Sequence, residues 1–233
     1  MWLREIAASY FITVNRVLNP KLWKGNEMLP EVEDKLRKIA ETFVEFVGVD
    51  LKVIDLTITG SNANYTWTKF SDIDLHVIVE GDINDEYREL FNTKKALWAE
   101  HHDIQIRGIP VECYVQGSEE SHHSTAVYSI KDSQWKITPK KVKPRVNDAA
   151  VQKKLDSVTH DINAAIASGN QKKIAALKDR ITDMRKSGLE RAGEWSTENL
   201  VFKALRAGGS IDQLAEKIRE LEDRELSLES LNH

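Results

Sequence analysis

Apolar residues recur at helical spacing over 2–17 (Leu3, Ile6, Tyr10, Val14, Val17), and Asn19-Pro20 ends that stretch. A second helix is predicted from Pro30 to about Val47. Proline and acids fill its first turn, Val32, Leu36, Ile39, Phe43 and Phe46 form one stripe, and Gly48 closes it. The period then changes: Val53–Thr59 and Asp72–Val79 read as strands and 85–101 as a helix. Asp103–Ile106 and Pro110–Val115 flank Arg107-Gly108 as a hairpin or strand pair, and Ala126–Ile130 and Trp135–Ile137 read as two more strands. Helices are predicted over 148–168, 171–187, 197–207 and 210–226, punctuated by Ser168-Gly169-Asn170, Gly193 and Gly208-Gly209. Strands come first and helices last, which is the order of an α+β fold: a small mixed sheet with flanking helices, then a C-terminal helical bundle.

The division follows from the same pattern. Residues 1–48 are N-terminal helices expected to pack on a core at 49–138, and 139–147 is a basic, proline-containing linker to a helical domain at 148–233. Charge is nearly balanced, at a net −4, so there is no global signature for long nucleic acid, whose affinity rests on phosphate contacts. Cys113 is the one cysteine, which excludes an internal disulfide and suits a reducing cytosol. No apolar run approaches the roughly 20 residues of a membrane span, so a cytoplasmic protein without membrane partners is expected, in the host cytoplasm if a phage encodes it.

Candidate chemistry centres on Asp72 and Asp74, which straddle Ile73 just before an apolar run. Strand alternation puts both carboxylates on one face, where they repel unless a cation lies between them. Hard divalent ions prefer such oxygens. Upstream, Gly60-Ser61 follows a strand and offers backbone N–H groups suited to phosphate. Glu112 is the one acid inside the apolar run Val111–Val115, an expensive position unless a cation meets it. If that strand lies beside the first, three carboxylates can converge. Asp103, Glu119 and Glu120 are rival acids nearby.

Gly60-Ser61, ten residues, Asp72-Ile73-Asp74, then a later strand with one acid resembles the polymerase-beta-type nucleotidyltransferase superfamily. Thr59 stands where that family usually has an apolar residue. The phrase from Gly60 to His76 also resembles small nucleotidyltransferase-like proteins of tailed phages. The resemblance implies that Gly60 and Ser61 hold the nucleotide phosphates, for example of ATP, and that Asp72 and Asp74 bind two Mg²⁺ (or Mn²⁺) ions. Glu112 would complete the catalytic metal site and activate the acceptor. The implied reaction moves an NMP from an NTP to an acceptor hydroxyl and releases pyrophosphate. The acceptor stays open: a short RNA or tRNA end, a protein, a small molecule or a second nucleotide.

Around this centre, Asn62, Asn64, Trp67, Lys69 and His76 are possible substrate contacts, each with an ordinary structural reading beside it. Tyr128 and Trp135 could wall a base or simply pack the core. The basic residues Lys136, Lys140, Lys141, Lys143 and Arg145, or the helical hairpin with Lys172, Lys173, Lys178, Arg180, Arg185 and Lys186, could meet triphosphate or RNA. Two other functions remain in view: a module that binds a nucleotide or cyclic oligonucleotide without catalysis, and an RNA-binding protein using the basic hairpin.

Overall fold

A computed structural model describes residues 14–120, 124–142 and 145–227. They fall into two compact units, Val14–Val142 and the helical segment that follows.

The first unit begins with a two-residue hairpin, β1 (Trp23–Lys24) and β2 (Glu27–Met28), followed by α1 (Pro30–Val47) and β3 (Val53–Thr59). A short 3-10 turn, Ser61–Ala63, leads through an irregular loop to β4 (Ile73–Val79), α2 (Asp85–His101), β5 (Gln105–Ile106) and β6 (Ile109–Gly117). β7 (Val127–Ser129) and β8 (Gln134–Ile137) complete a six-stranded mixed sheet of order β5-β6-β4-β3-β7-β8. β4 and β6 are parallel, and the other neighbours in the sheet are antiparallel. A parallel pair needs a crossover, and α2 supplies it.

Alternation gives the sheet two unlike faces. Ile58, Leu75 and Cys113 are aligned across β3, β4 and β6 and join the core with Val32, Leu36 and Phe43 of α1. Trp98 of α2 packs between Phe43 and Phe46, at centroid distances of 5.5 and 5.3 Å. Tyr128 and Trp135 belong to this core, in contact with Trp23 at 5.0 and 4.7 Å, so the packing reading holds for them. The opposite face carries the aligned row Thr59, Asp74 and Glu112, and behind it Thr57, His76 and Tyr114.

The N-terminal helix read from the periodicity lies largely outside the described residues. Its last part is corrected: Val14–Val17 is not helical, because the Asn15 backbone N–H donates to the Tyr65 carbonyl at 2.7 Å and ties this strip to the loop. Lys136, placed near the linker by composition, sits in β8 and pairs with Asp132 at 2.5 Å.

The second unit holds α3 (Asp148–Ala167), α4 (Gln171–Ala192), α5 (Thr197–Ala207) and α6 (Ser210–Leu226). Asn147, Asn170 and Ser196 cap the first three by accepting a backbone N–H. Val151, Leu155, Val158 and Ile162 meet Ile174, Leu177, Ile181, Leu200 and Leu214 in a separate core. α4 runs past the predicted end at 187. Its Gly188 admits the start of α5, since a Cβ there would lie 2.6 Å from the Glu198 Cβ and 2.8 Å from the Ser196 Oγ.

Glu198 ties three of these helices together, through Lys154 at 2.8 Å and Arg191 at 2.7 Å. Burial alone would raise its pKa. Hydrogen bonds from Lys154, its own backbone amide and Arg191 outweigh that and hold it at about 2. A depressed carboxyl stabilises the fold above its unfolded pKa, and the benefit disappears as pH falls through the folded value. Discounted for the exposure of Arg191, about 1–2 kcal/mol should be lost between roughly pH 4.5 and 2. Urea melts of Glu198→Gln should show a flatter stability profile than wild type across that window; parallel profiles would contradict it.

Candidate active site

The parallel register of β4 and β6 sets Asp74 directly opposite Glu112. Asp72 lies just before β4. One carboxylate oxygen from each of the three residues falls within 4.8 Å of the other two, and all three residues are half-buried. Among the described residues this is the one acidic or His/Cys group with such geometry. The rival acids lie elsewhere: Asp103 accepts from Gln105 at 3.0 Å, Glu120 pairs with Arg88 at 3.1 Å, and Glu119 is exposed.

Gly60 closes the other side of Asp74. Its φ of 72° and ψ of −159° fall in a region open essentially to glycine. A Cβ at Gly60 would overlap Asp74 Oδ2 and lie 3.1 Å from its Cγ, so the backbone and the carboxylate touch. Ser61 starts the 3-10 turn, and its hydroxyl donates to the Ser71 Oγ at 2.8 Å, which in turn accepts the Thr68 backbone N–H at 2.9 Å. The turn and the segment entering β4 are thereby stitched together.

Asn62 is one of the possible substrate contacts named from the sequence. It is fully buried, with its amide donating to the Asp72 carbonyl at 2.7 Å and accepting from Asn19 at 2.8 Å. Its role is to fix the backbone that carries Asp72. Asn64 is likewise buried, with bonds to Thr125 and the Tyr65 N–H at 2.8 Å. Trp67 is half-buried and donates to the Val17 carbonyl at 3.0 Å. Lys69 is exposed, 4.9 Å from the Phe70 ring centroid. His76 lies one row behind the acids, 3.1 Å from the Thr59 hydroxyl and stacked on Tyr114 at 4.8 Å.

Two site residues have no counterpart in the sequence reading. Lys95 of α2 places its Nζ 3.0 Å from Glu112 Oε2, and the Tyr114 hydroxyl donates to the same oxygen at 2.7 Å. Burial, then Asp74 and Glu112, raise the Tyr114 pKa above its ordinary 10.0, so the phenol keeps its proton to donate. The adjacent Cys113 faces the core, and burial pushes its thiol up to about 12 despite Lys95. Tyr114 was readable, since it lies two residues beyond Glu112 on the same face. Lys95 was not, because its place depends on how α2 crosses over.

Three hard carboxylates meeting at one point fit a divalent ion such as Mg²⁺ or Mn²⁺, whose ligands are oxygens. Residues 36–135 match the nucleotidyltransferase domain family. The chain carries a nucleotidyltransferase domain. The matched segment runs from within α1 into β8 and contains every acid of the cluster. No curated protein matches the chain. The chain aligns with a solved structure of a STING-associated CdnE c-di-GMP synthase from Capnocytophaga granulosa at 13% identity, over 85% of this chain and 83% of the other, with a TM-score of 0.22. No helix among the described residues is long and apolar enough to cross a membrane.

Proposed function

We propose that this nucleotidyltransferase moves a nucleoside monophosphate from an NTP to an acceptor hydroxyl, using Mg²⁺ or Mn²⁺ held by Asp72, Asp74 and Glu112. The observation that carries the reading is the meeting of three carboxylate oxygens within 4.8 Å beside a glycine with no room for a side chain. The bound ions would supply charge neutralisation at the triphosphate and the attacking oxygen. The acceptor hydroxyl gives up its proton to solvent, its oxygen bonds to the α-phosphorus as the bond from that phosphorus to the bridging oxygen breaks, and pyrophosphate leaves.

The residues divide that work by strand. Gly60 and Ser61 follow β3 on one side of Asp74, where close backbone approach suits phosphate. Glu112 lies on β6, on the other side, which suits the acceptor. Fixing both partners on a rigid sheet lowers the entropy that the reaction would otherwise lose.

The test is to incubate the protein with each α-labelled NTP and Mg²⁺, alone and with a short RNA, a tRNA, a second nucleotide or a small polyol, and to assay pyrophosphate. Release is expected with at least one pair and should be absent in Asp72→Ala/Asp74→Ala. Nucleotide binding that survives the double substitution, with no pyrophosphate from any pair, would leave a binding module instead.

A further inference from the structure

Glu112 is held more firmly than an ordinary half-exposed acid. Two donors share its Oε2: the Lys95 ammonium at 3.0 Å and the Tyr114 hydroxyl at 2.7 Å. Those donors are themselves constrained. The Lys95 Nζ lies 3.5 Å from the Tyr114 ring centroid, a cation over an aromatic face. The Tyr114 ring stacks on His76 with an interplanar angle of 14°, and the His76 Nε2 is 3.1 Å from the Thr59 hydroxyl. A chain of contacts thus runs from Thr59 on β3 through His76 on β4 to Tyr114 on β6 and Lys95 on α2, and the last two both meet Glu112. A solvated lysine pairing with a surface acid contributes little and is free to swing. Lys95 is only about a quarter exposed, at 27% of its side chain, and is pinned by two partners at once.

We infer that Lys95, together with Tyr114, is a positioning residue of this nucleotidyltransferase: it aims the Glu112 carboxylate and serves as a built-in counter-cation that moderates how tightly the acid cluster takes a divalent ion. The inference rests on the metal-dependent reading above. A fixed positive charge beside the cluster has two opposed effects. It repels an incoming cation, and so weakens ion binding. It also holds one oxygen of Glu112 in place, and so favours a productive arrangement, since small misplacements of a catalytic group are costly in rate. Removing the charge should therefore tighten ion binding and slow turnover together. A lysine that merely stabilised the fold would not move the two quantities in opposite directions.

The experiment compares wild type, Lys95→Gln, Lys95→Arg and Tyr114→Phe. Mn²⁺ binding to each protein is measured by electron paramagnetic resonance without nucleotide, and kcat and KM for the NTP are measured at saturating metal. Circular dichroism melts confirm folding. Lys95→Gln is expected to bind Mn²⁺ about 3- to 10-fold more tightly at low ionic strength. Its kcat should fall about 10- to 100-fold with KM for NTP little changed. Lys95→Arg keeps the charge and should restore wild-type Mn²⁺ affinity and most of the rate. Tyr114→Phe should leave Mn²⁺ affinity within about twofold and lower kcat about 3- to 10-fold. Unchanged or weaker Mn²⁺ binding in a folded Lys95→Gln protein, or an unchanged kcat, overturns the inference alone. Absence of Mn²⁺ binding in wild type overturns the metal-dependent reading and this inference with it.

Discussion

Asp74→Asn is expected to lower nucleotidyl transfer about a thousandfold while leaving the protein folded. Asp74 is the acid with a partner on each side: Gly60 against its carboxylate and Glu112 across the strand pair. Asparagine keeps the shape that packs on Gly60 but removes one of three negative charges. A metal site contributes several kcal/mol to transition-state charge stabilisation. About 4 kcal/mol, at about 1.4 kcal/mol per factor of ten, gives three decades in rate. Stability should move the other way, because one member of a crowded acidic cluster no longer repels the rest. The checks are single-turnover rates over a metal titration and a thermal melt. A rate within tenfold of wild type at any metal concentration would remove Asp74 from the catalytic centre. A lower melting temperature would argue that the aspartate is structural.

Gly60→Ala is the second large effect, and it should strike fold and activity together. A residue at φ 72° and ψ −159° with a side chain pays about 1–3 kcal/mol in backbone strain. The added methyl also overlaps the Asp74 carboxylate, so either the turn or the acid must shift. A total destabilisation of about 2–4 kcal/mol is expected from urea unfolding. Activity should fall at least a hundredfold even well below the melting temperature, where the population is folded, because displacement of Asp74 disturbs the acid cluster. Full activity in the folded fraction would mean that the turn yields instead of the acid.

Much of this arrangement was legible from residue pattern. The stripe from Val32 to Phe43, the strand Val53–Thr59 and the spacing from Gly60 to Asp74 are local signals, and the structure follows them closely. Glu112 could be noticed because an acid in an apolar strand requires a partner. The hairpin Trp23–Met28 was not legible, since two-residue strands show no period and owe their place to Trp23 packing on Trp135. The burial of Asn62 was hidden because an asparagine in a polar spacer looks like any turn residue; only the meeting with Asn19 and the Asp72 carbonyl reveals its work. Lys95 shows the same limit, for no local pattern tells which turn of α2 comes to rest beside β6.

The in-register pairing of Asp74 with Glu112 bears on how the chain finds its alignment. A slip of β6 by one residue would turn Glu112 and Tyr114 into the apolar layer beneath the sheet and bring Val111 and Cys113 out among the aspartates. An unpaired carboxylate in that layer is heavily penalised. The residues suited to chemistry therefore double as alignment marks, making misaligned sheets poor competitors before any nucleotide arrives. Length changes in the turn at Arg107-Gly108 can be absorbed without disturbing this, whereas a single residue inserted between Val111 and Tyr114 would set catalysis and folding at odds.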